Sequence, residues 1–395
     1  MAIMRSLGSL GVRVYGVHAD QDSHAFPSRY CLGKFVRELV EERPQDYLEF
    51  VTAIGKQLGG RALLIPTSDA LSEFVAEYAG ELSEQFVFPR NSAQLVKDLS
   101  SKERMYQLAN AHGVPTARTE FPRSLEDVYR YADSITFPLM LKGIFGDRLF
   151  TKTGKKMVIV HSHDELIDKY RLLEDPEQPN LMIQEYIPGD DDQIYIFNGY
   201  FNEQSECLAG FTGHKIRQFP IHTGCATLGI CKANQEVADI TTQFMKALGY
   251  RGVLDIGYRW DPRDRKYKVL DINPRVGQAF RLFIDSEDMD VVRAMYKDFA
   301  GEAVRTGPVR EGRKWIIEDF DLISCLHYYQ EGTLGLLAWL RSFNGVQEGT
   351  WFSLRDPMPF LHMLGRLFKK SLLWLRKKLP VMKPGDAEIR RAESM

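Results

Sequence analysis

Residues 252–275 read GVLDIGYRWDPRDRKYKVLDINPR, and the rest of the chain is organised around this stretch. Two runs, VLDIGYRW and KYKVLDINPR, flank the turn-rich DPRDR, which is the pattern of two strands joined by a tight connection. Side chains alternate between faces along a strand, so Asp271 and Asn273 point to one side. Pairing the strands about Arg263 sets Asp255 directly opposite Asp271, with Cβ atoms roughly 5 Å apart. Leu254, Ile256, Leu270 and Ile272 then cover the other face. Two carboxylates and an amide oxygen on one spot suit Mg²⁺, which takes one or two carboxylates together with phosphate oxygens and waters. The same spacing fits a solvated hairpin with acids on its wet face, so residues upstream must decide.

A chain of 395 residues can hold two or three domains and a sizeable core. Its 51 basic and 53 acidic residues nearly balance, which argues against nucleic acid as a general partner. The five cysteines, at 31, 207, 225, 231 and 325, form no CxxC and no Cys/His metal spacing. That usage fits a reducing cytoplasm better than a disulfide framework. No apolar run approaches the roughly 18 residues of a membrane span. The opening MAIMRSLGSLG is too short and broken for a secretory signal.

Working outward, AIMRSLGSLG reads as a helix ending at Gly11, and VRVYGVHA as a buried strand. A helix around Tyr47–Leu58 and a strand ALLIP follow. Such alternation implies a parallel α/β sheet. The strand and glycine-rich turn that usually open such a sheet are missing from the pattern, so a shortened N-terminus is expected. From Asn91, NSAQLVKDLSSKERMYQLANAHGVPTART reads as helical up to the stop at Gly113-Val114-Pro115. ITFPLMLKG places Lys142 at the end of a strand. GIFGDRLFTKTGKKMVIVHS reads as a loop between strands that could cradle a phosphate, a weak signal on its own. LMIQEYIPGDDDQIYIF is a strand running into an extended segment and three acids. Its free backbone groups can read an adenine edge and a carboxylate can hold ribose hydroxyls; an acidic surface turn is the plain alternative. In FTGHKIRQFPIHTGCATLG, Lys215 and Arg217 share a parity and so one strand face. Two cations there would suit a triphosphate.

The ordered set LMLKG, IQEYIPG, GHKIRQFP, DIGYR and LDINPR over residues 139–275 resembles the ATP-grasp superfamily, and within it carboxylate–amine ligases of the D-aspartate ligase type. The resemblance, which ends near Gly307, implies an α/β (α+β) ATP-grasp fold: an N-terminal parallel α/β (pre-ATP-grasp) domain over 1–90 lacking its usual first strand, and an ATP-grasp domain over 91–305. Beyond it, RKWIIEDFDLISCLHYY and LGLLAWLRSF read as helices of a C-terminal extension over 306–380, and residues 381–395 read as a disordered tail. The resemblance also implies roles. Lys102 and Lys142 match the nucleotide-contacting lysines. Gln184 and Glu185 match the hinge beside the adenine amino group, with Ile187 offering its backbone N–H. Asp191 or Asp192 matches the ribose-binding acid. Lys215 and Arg217 match cations near the γ-phosphate. Asp255, Asp271 and Asn273 match the Mg²⁺ ligands, with Mn²⁺ as a substitute, and Arg275 matches the arginine that steadies the transferred phosphate or a substrate carboxylate. Asp271 departs from the glutamate common at that position.

The implied activity is ATP-dependent joining of a small carboxylate to an amine through an acylphosphate. Phosphoryl transfer depends on positioning and charge neutralisation, which explains a site of Lys, Arg and Mg²⁺ with no Ser–His or Cys–His pair. Alternatives are a ligase with a non-amine acceptor and an ATP-binding scaffold or regulator without ligase activity. His214 and His222 lie near the proposed site and read as structural. A homodimer is carried over from relatives of this architecture. Near the C-terminus, FLHMLGRLFKKSLLWLRKKLP carries six Lys/Arg and no acid. On a helical wheel Phe360, Leu361, Leu364, Leu367, Phe368, Leu372 and Leu375 form a stripe away from Arg366, Lys369, Lys370, Arg376 and Lys377. A helix over 360–379 could therefore lie on the inner face of an anionic membrane, or pack on its own protein with a solvated basic face.

Overall fold

The structure is a computed structural model that describes residues 1–144, 146–154, 157–175 and 177–378. The tail expected over 381–395 lies outside the described residues. Helix α1 (Ala2–Gly8) leads into β1 (Val14–His18), which pairs in parallel with β2 (Cys31–Val36). Helix α2 (Pro44–Leu58) follows, then β3 (Ala62–Leu63), α3 (Asp69–Glu77), α4 (Ala79–Leu82) and β4 (Phe86–Val87), with β3 and β4 again parallel. The expected parallel pairing is present, but as two separate two-stranded sheets. The apolar faces of α2, α3, α4, β3 and β4 enclose Tyr47, Leu48, Val51, Phe74 and Leu82.

The next helical stretch divides at Ser101 into α5 (Ala93–Ser100) and α6 (Lys102–Ala111), because the Ser101 hydroxyl caps α6 by accepting from Arg104 N. An antiparallel sheet then forms from β5 (Thr119–Glu120), β6 (Leu139–Gly143), β7 (Met157–Val160) and β8 (Leu181–Glu185), in the order β5-β8-β6-β7. Helices α7 (Leu125–Ala132), α8 (Gly146–Thr153) and α9 (His163–Leu173) share a core with it. Helix α8 occupies much of the stretch that reads as a loop, since Leu149 is drawn into this core at 2% exposure.

The larger sheet is built from β9 (Ile194–Phe201), β10 (Cys207–Phe219), β11 (Cys225–Cys231), β12 (Gly252–Asp261) and β13 (Lys266–Asn273). Helix α10 (Gln235–Ala247) packs on one face with Phe197, Leu254 and Ile256. Full burial of such a side chain contributes roughly 1.5–3 kcal/mol, so this face is strongly specified. Helix α11 (Val291–Phe299) covers part of the other face and draws Leu7 of α1 into the same core. The stretch after residue 306 does not begin as a helix: β14 (Lys314–Ile316) adds to β11, and β15 (Val346–Gly349) adds to β14. The full order is β13-β12-β9-β10-β11-β14-β15.

Between and after these strands stand α12 (Glu318–Gln330), α13 (Leu336–Ser342) and α14 (Met358–Lys378). A buried Arg5–Asp356 pair at 3.0 Å ties this extension back to α1. Among its described side chains, helix α14 is held at Met363, which is buried, at His362, which contacts His24, and at Arg366, which bonds Asp20 at 2.9 Å. Leu361, Leu364, Leu367 and Phe368 face solvent, whereas Phe360 of the same expected stripe turns inward onto Phe352. The side chains of Lys370, Leu372, Leu375, Arg376 and Lys377 lie outside those described. Among the described residues, no helix is long and apolar enough to cross a membrane.

Candidate active site

The smaller and larger sheets face each other across a cleft of about 1240 Å³. Its floor is the hairpin β12–β13, and its pairing differs from simple reflection about Arg263. Asp255 pairs with Asn273, and Asp271 pairs with Gly257. The register shifts between Gly257 and Tyr258, so that Val269 follows directly as the partner of Tyr258 and Leu270 is the extra residue of a bulge. This corrects two expectations. Asp255 and Asp271 are diagonal neighbours, and Leu270 turns toward the cleft while Val269 takes the buried position.

The acids nevertheless converge. Asn273 Nδ2 donates to Asp271 Oδ2 and to the Asp255 carbonyl, both at 3.3 Å. The Asn273 amide oxygen accepts from Arg275 at 3.0 Å, so it is engaged by a cation from the protein itself. Asn198 of β9 pairs with Asp255 from the other side and donates to Asp255 Oδ2 at 3.5 Å. Its own Oδ1 is buried without a partner. An unpartnered buried amide oxygen costs free energy unless something meets it. Burial, then repulsion from Asp271, pushes the Asp255 carboxyl up to about 7, against the pull of Arg275 and Lys215. Burial acts on Asp271 in the same sense, but Lys102, Lys215 and Lys142 outweigh it and hold that carboxyl below its usual value. A divalent cation would relieve the repulsion at Asp255 and give Asn198 Oδ1 a partner, so these residues fit Mg²⁺. No cluster of three or more His, Cys, Asp or Glu exists among the described residues, and the fit rests on two carboxylates with amide oxygens.

Cations stand over this floor. Lys102 Nζ lies 3.8 Å from Asp271 Oδ2. Lys142 Nζ donates to Gln184 Oε1 at 3.2 Å. Burial, then the Lys102 charge, push the Lys142 ammonium down to about 8, with Asp271 opposing. Lys215 donates to the Gly224 carbonyl at 2.9 Å and to Gln218 at 3.2 Å. Arg217 lines the same cleft, but its guanidinium is engaged by other side chains. Register shifts on both sides of it break the alternation that equal parity assumes. Its guanidinium makes a bidentate pair with buried Asp321 at 2.7 and 2.9 Å and donates to Ser342 at 2.7 Å. Arg275 bonds Asp69 at 2.7 Å, which links the N-terminal unit to the cleft.

At the hinge, Gln184 is fully buried and fixed by Tyr106 and Thr119 at 2.9 and 2.8 Å. The Glu185 carboxylate is taken up by Lys268 at 2.9 Å, Arg263 at 2.7 Å and Arg118 N at 2.9 Å. That leaves this segment's backbone, and not the Glu185 side chain, to meet a base. Arg259 braces it by donating to the Ile187 carbonyl at 3.0 Å and to the Gly189 carbonyl. Asp191 and Asp192 both line the cleft. His222, which reads as structural from sequence, stands at the cleft mouth against Asp191. His214 Nδ1 instead faces the Lys215 carbonyl at 3.3 Å. Asn198 is the residue sequence reasoning passed over; a lone amide inside the apolar run IYIFNGYF was the signal.

A small antiparallel sheet closing over a larger one, with lysines above and acids below, is the arrangement of the ATP-grasp fold, and this chain has that fold. It is similar to the N5-carboxyaminoimidazole synthetase of Staphylococcus aureus solved with ADP, at TM-score 0.62 and 12% identity over 84% of this chain and 82% of that one. It is also similar to the biotin carboxylase domain dimer of Hydrogenobacter thermophilus 2-oxoglutarate carboxylase solved with MgADP, at TM-score 0.60 and 15% identity over 79% and 70%. Among curated proteins it is similar to the D-aspartate ligase of Enterococcus faecium, 24% identical over 245 residues, which are 60% of this chain and 58% of that protein. The carbamoyl phosphate synthase large chain of Thermoanaerobacter pseudethanolicus is 21% identical over 62% of this chain and 22% of its own length. The chain thus spans less than two thirds of either curated relative. No model of a known protein family matches the sequence.

Proposed function

We propose that this chain is an ATP-dependent carboxylate–amine ligase working with Mg²⁺, or Mn²⁺ in its place. The observation that carries the reading is the cleft in which Lys102, Lys142 and Lys215 stand over Asp255, Asp271 and Asn273, with Asn198 buried behind Asp255. Its volume exceeds the several hundred Å³ of a usual single-ligand site and leaves room for a second substrate beside ATP. Asp255, Asp271 and the amide of Asn198 or Asn273 would hold the metal, which when bound neutralises charge on the phosphates. Lys142 and Lys102 bind phosphate oxygens, and Lys215 stabilises charge as it develops on the γ-phosphoryl group. A substrate carboxylate oxygen attacks the γ-phosphorus and the bond to ADP breaks. The amine then attacks the acyl carbon, phosphate leaves with the electron pair, and the amine proton passes to phosphate or solvent. Arg275, steadied by Asp69, is suited to hold the carboxylate in line.

The relationship to a D-aspartate ligase supports an amino-acid-like carboxylate. The division of the chain at 90, 305 and 380 belongs to the same reading, as do a cytoplasmic location, supported by five free cysteines, and a homodimer, supported by the dimeric biotin carboxylase domain. Peripheral contact with an anionic membrane is proposed on a separate observation. Among the described residues, fifteen of the twenty-two exposed large apolar side chains fall within residues 320–368, next to the basic run of α14. Release of ADP in the presence of paired amino acids and amines tests the ligase reading. ATP binding with no ADP release for any pair would favour the scaffold alternative, and release with thiols alone the non-amine acceptor.

A further inference from the structure

Asp191 is held by an unusual set of partners. His222 Nδ1 lies 3.2 and 3.1 Å from its two oxygens, and Tyr328 OH donates to Oδ2 at 2.5 Å. The other ring nitrogen of His222 lies 2.9 Å from Glu331 Oε2. Carboxylates of this kind only accept, so both ring nitrogens donate when the imidazole is protonated, and the ring then bridges two acids. The Tyr328 ring meets the His222 ring edge-on at 5.3 Å. His222 itself has a left-handed backbone, φ 62°, which is uncommon for a residue with a side chain and persists only where surroundings enforce it.

These contacts join three parts of the chain that sequence leaves far apart: the segment after the hinge, the β10–β11 turn, and α12 of the C-terminal extension. All three residues that surround the Asp191 carboxylate's side of the cleft, Asp191, His222 and Tyr328, line the same cavity. Asp192, by contrast, is exposed and among the described residues accepts from its neighbour Gln193 at 2.9 Å. Resting on the ligase reading, we propose that Tyr328, His222 and Glu331 form a latch by which the C-terminal extension positions Asp191 to accept the ribose hydroxyls of ATP. Asp191 is then the ribose acid and Asp192 is not. A carboxylate has about four acceptor sites, so its two direct partners, His222 Nδ1 and Tyr328 OH, orient it and leave capacity for the sugar, while Glu331 acts through His222. Tyr328 and Glu331 are positioning residues, since neither has to touch the nucleotide.

The test uses the full chain, with binding of ATP and of 2′,3′-dideoxy-ATP measured by calorimetry for the wild type, Tyr328→Phe and Glu331→Gln. Losing one orienting hydrogen bond should weaken ATP roughly threefold to tenfold. Dideoxy-ATP should bind the wild type more weakly than ATP does, and the variants should leave its affinity unchanged. In turnover the variants should raise KM for ATP with little change in kcat. Equal weakening of both nucleotides, no weakening of either, or equal wild-type affinity for both would overturn the latch while leaving the ligase reading in place. A wild type that binds neither nucleotide overturns the ligase reading and the latch together.

Discussion

Gly277 is folded so tightly over Asp255 that a methyl group on its Cα would stand 1.5 Å from Asp255 Oδ2. The loop after β13 therefore presses bare backbone onto the carboxylate that forms one side of the proposed metal site. Gly277→Ala must displace that carboxylate, and displacements near 1 Å at a reacting centre can cost about 100-fold in rate. The variant should lose turnover by at least that factor with its circular dichroism unchanged. Wild-type kcat in Gly277→Ala would show that Asp255 has no fixed place in the chemistry.

Asp271→Ala and Asp255→Asn separate the two acids. Asp271→Ala should lower Mg-dependent turnover on the order of 100- to 1000-fold while the fold is kept. Asp255→Asn removes a buried charge that Asp271 repels, so the metal-free variant should melt higher than the wild type. Added Mg²⁺ and nucleotide should raise the wild-type Tm and leave that of Asp255→Asn nearly unmoved. Identical Mg²⁺ responses in both proteins would place the metal elsewhere.

Lys142 sets a pH dependence. Its ammonium titrates at about 8 in the free protein, because burial and Lys102 disfavour the charge. Phosphate oxygens beside it favour the charged form and raise that value on binding. At about pH 9 nucleotide binding should thus take up a proton, and affinity should fall as pH rises further. Calorimetry in buffers of different ionisation heat measures the uptake directly. Lys142→Arg, charged throughout, should abolish it; uptake that persists in this variant would assign it to another group.

Arg217 and Lys215 should differ in kind. Breaking a buried ion pair by removing one partner leaves the other charge uncompensated, and Arg217→Ala should cost about 3–5 kcal/mol of stability in denaturant unfolding. Lys215→Ala should unfold near the wild-type midpoint and lose turnover instead. The reverse pattern would restore Arg217 to the phosphate site.

The exposed face of α14 predicts vesicle binding. The chain should float with phosphatidylglycerol-rich vesicles and not with phosphatidylcholine alone, and salt should weaken the interaction. Replacing Leu361, Leu364 and Phe368 by Ser should abolish flotation without changing turnover of soluble substrates. Unchanged flotation of the triple variant would remove α14 from the contact, and a shift from dimer to monomer would assign the face to a second copy of the chain.

The two strands of the hairpin and the strand carrying Lys142 were legible in the sequence as local patterns of apolar alternation, whereas the hinge stood out only through the family resemblance, since alone it reads as an acidic surface turn. The Asp255–Asn273 register was not legible: the turn pairs Asp261 with Lys266, which already moves the pairing off a reflection about Arg263, and the bulged Leu270 adds a further shift that leaves no mark in composition. The pairing of Arg217 with Asp321 was not legible either, because that acid lies over a hundred residues away and parity carries no information about distant acids. His222 looked structural for the same reason: its meaning depends on Glu331 and Tyr328, which only the folded chain brings near. Asn198 could have been found, as an amide in an otherwise apolar strand must face something polar.

On the ligase reading, a carboxylate is activated as an acylphosphate in the cleft between Lys215 and Asp271. Incubating the protein with ATP, Mg²⁺, an amine and a carboxylate labelled with oxygen-18, and analysing the phosphate by mass spectrometry, tests this step most directly. One labelled oxygen should appear in the inorganic phosphate for each amide formed. Amide formation with unlabelled phosphate, or labelled phosphate in the absence of ATP, would overturn it.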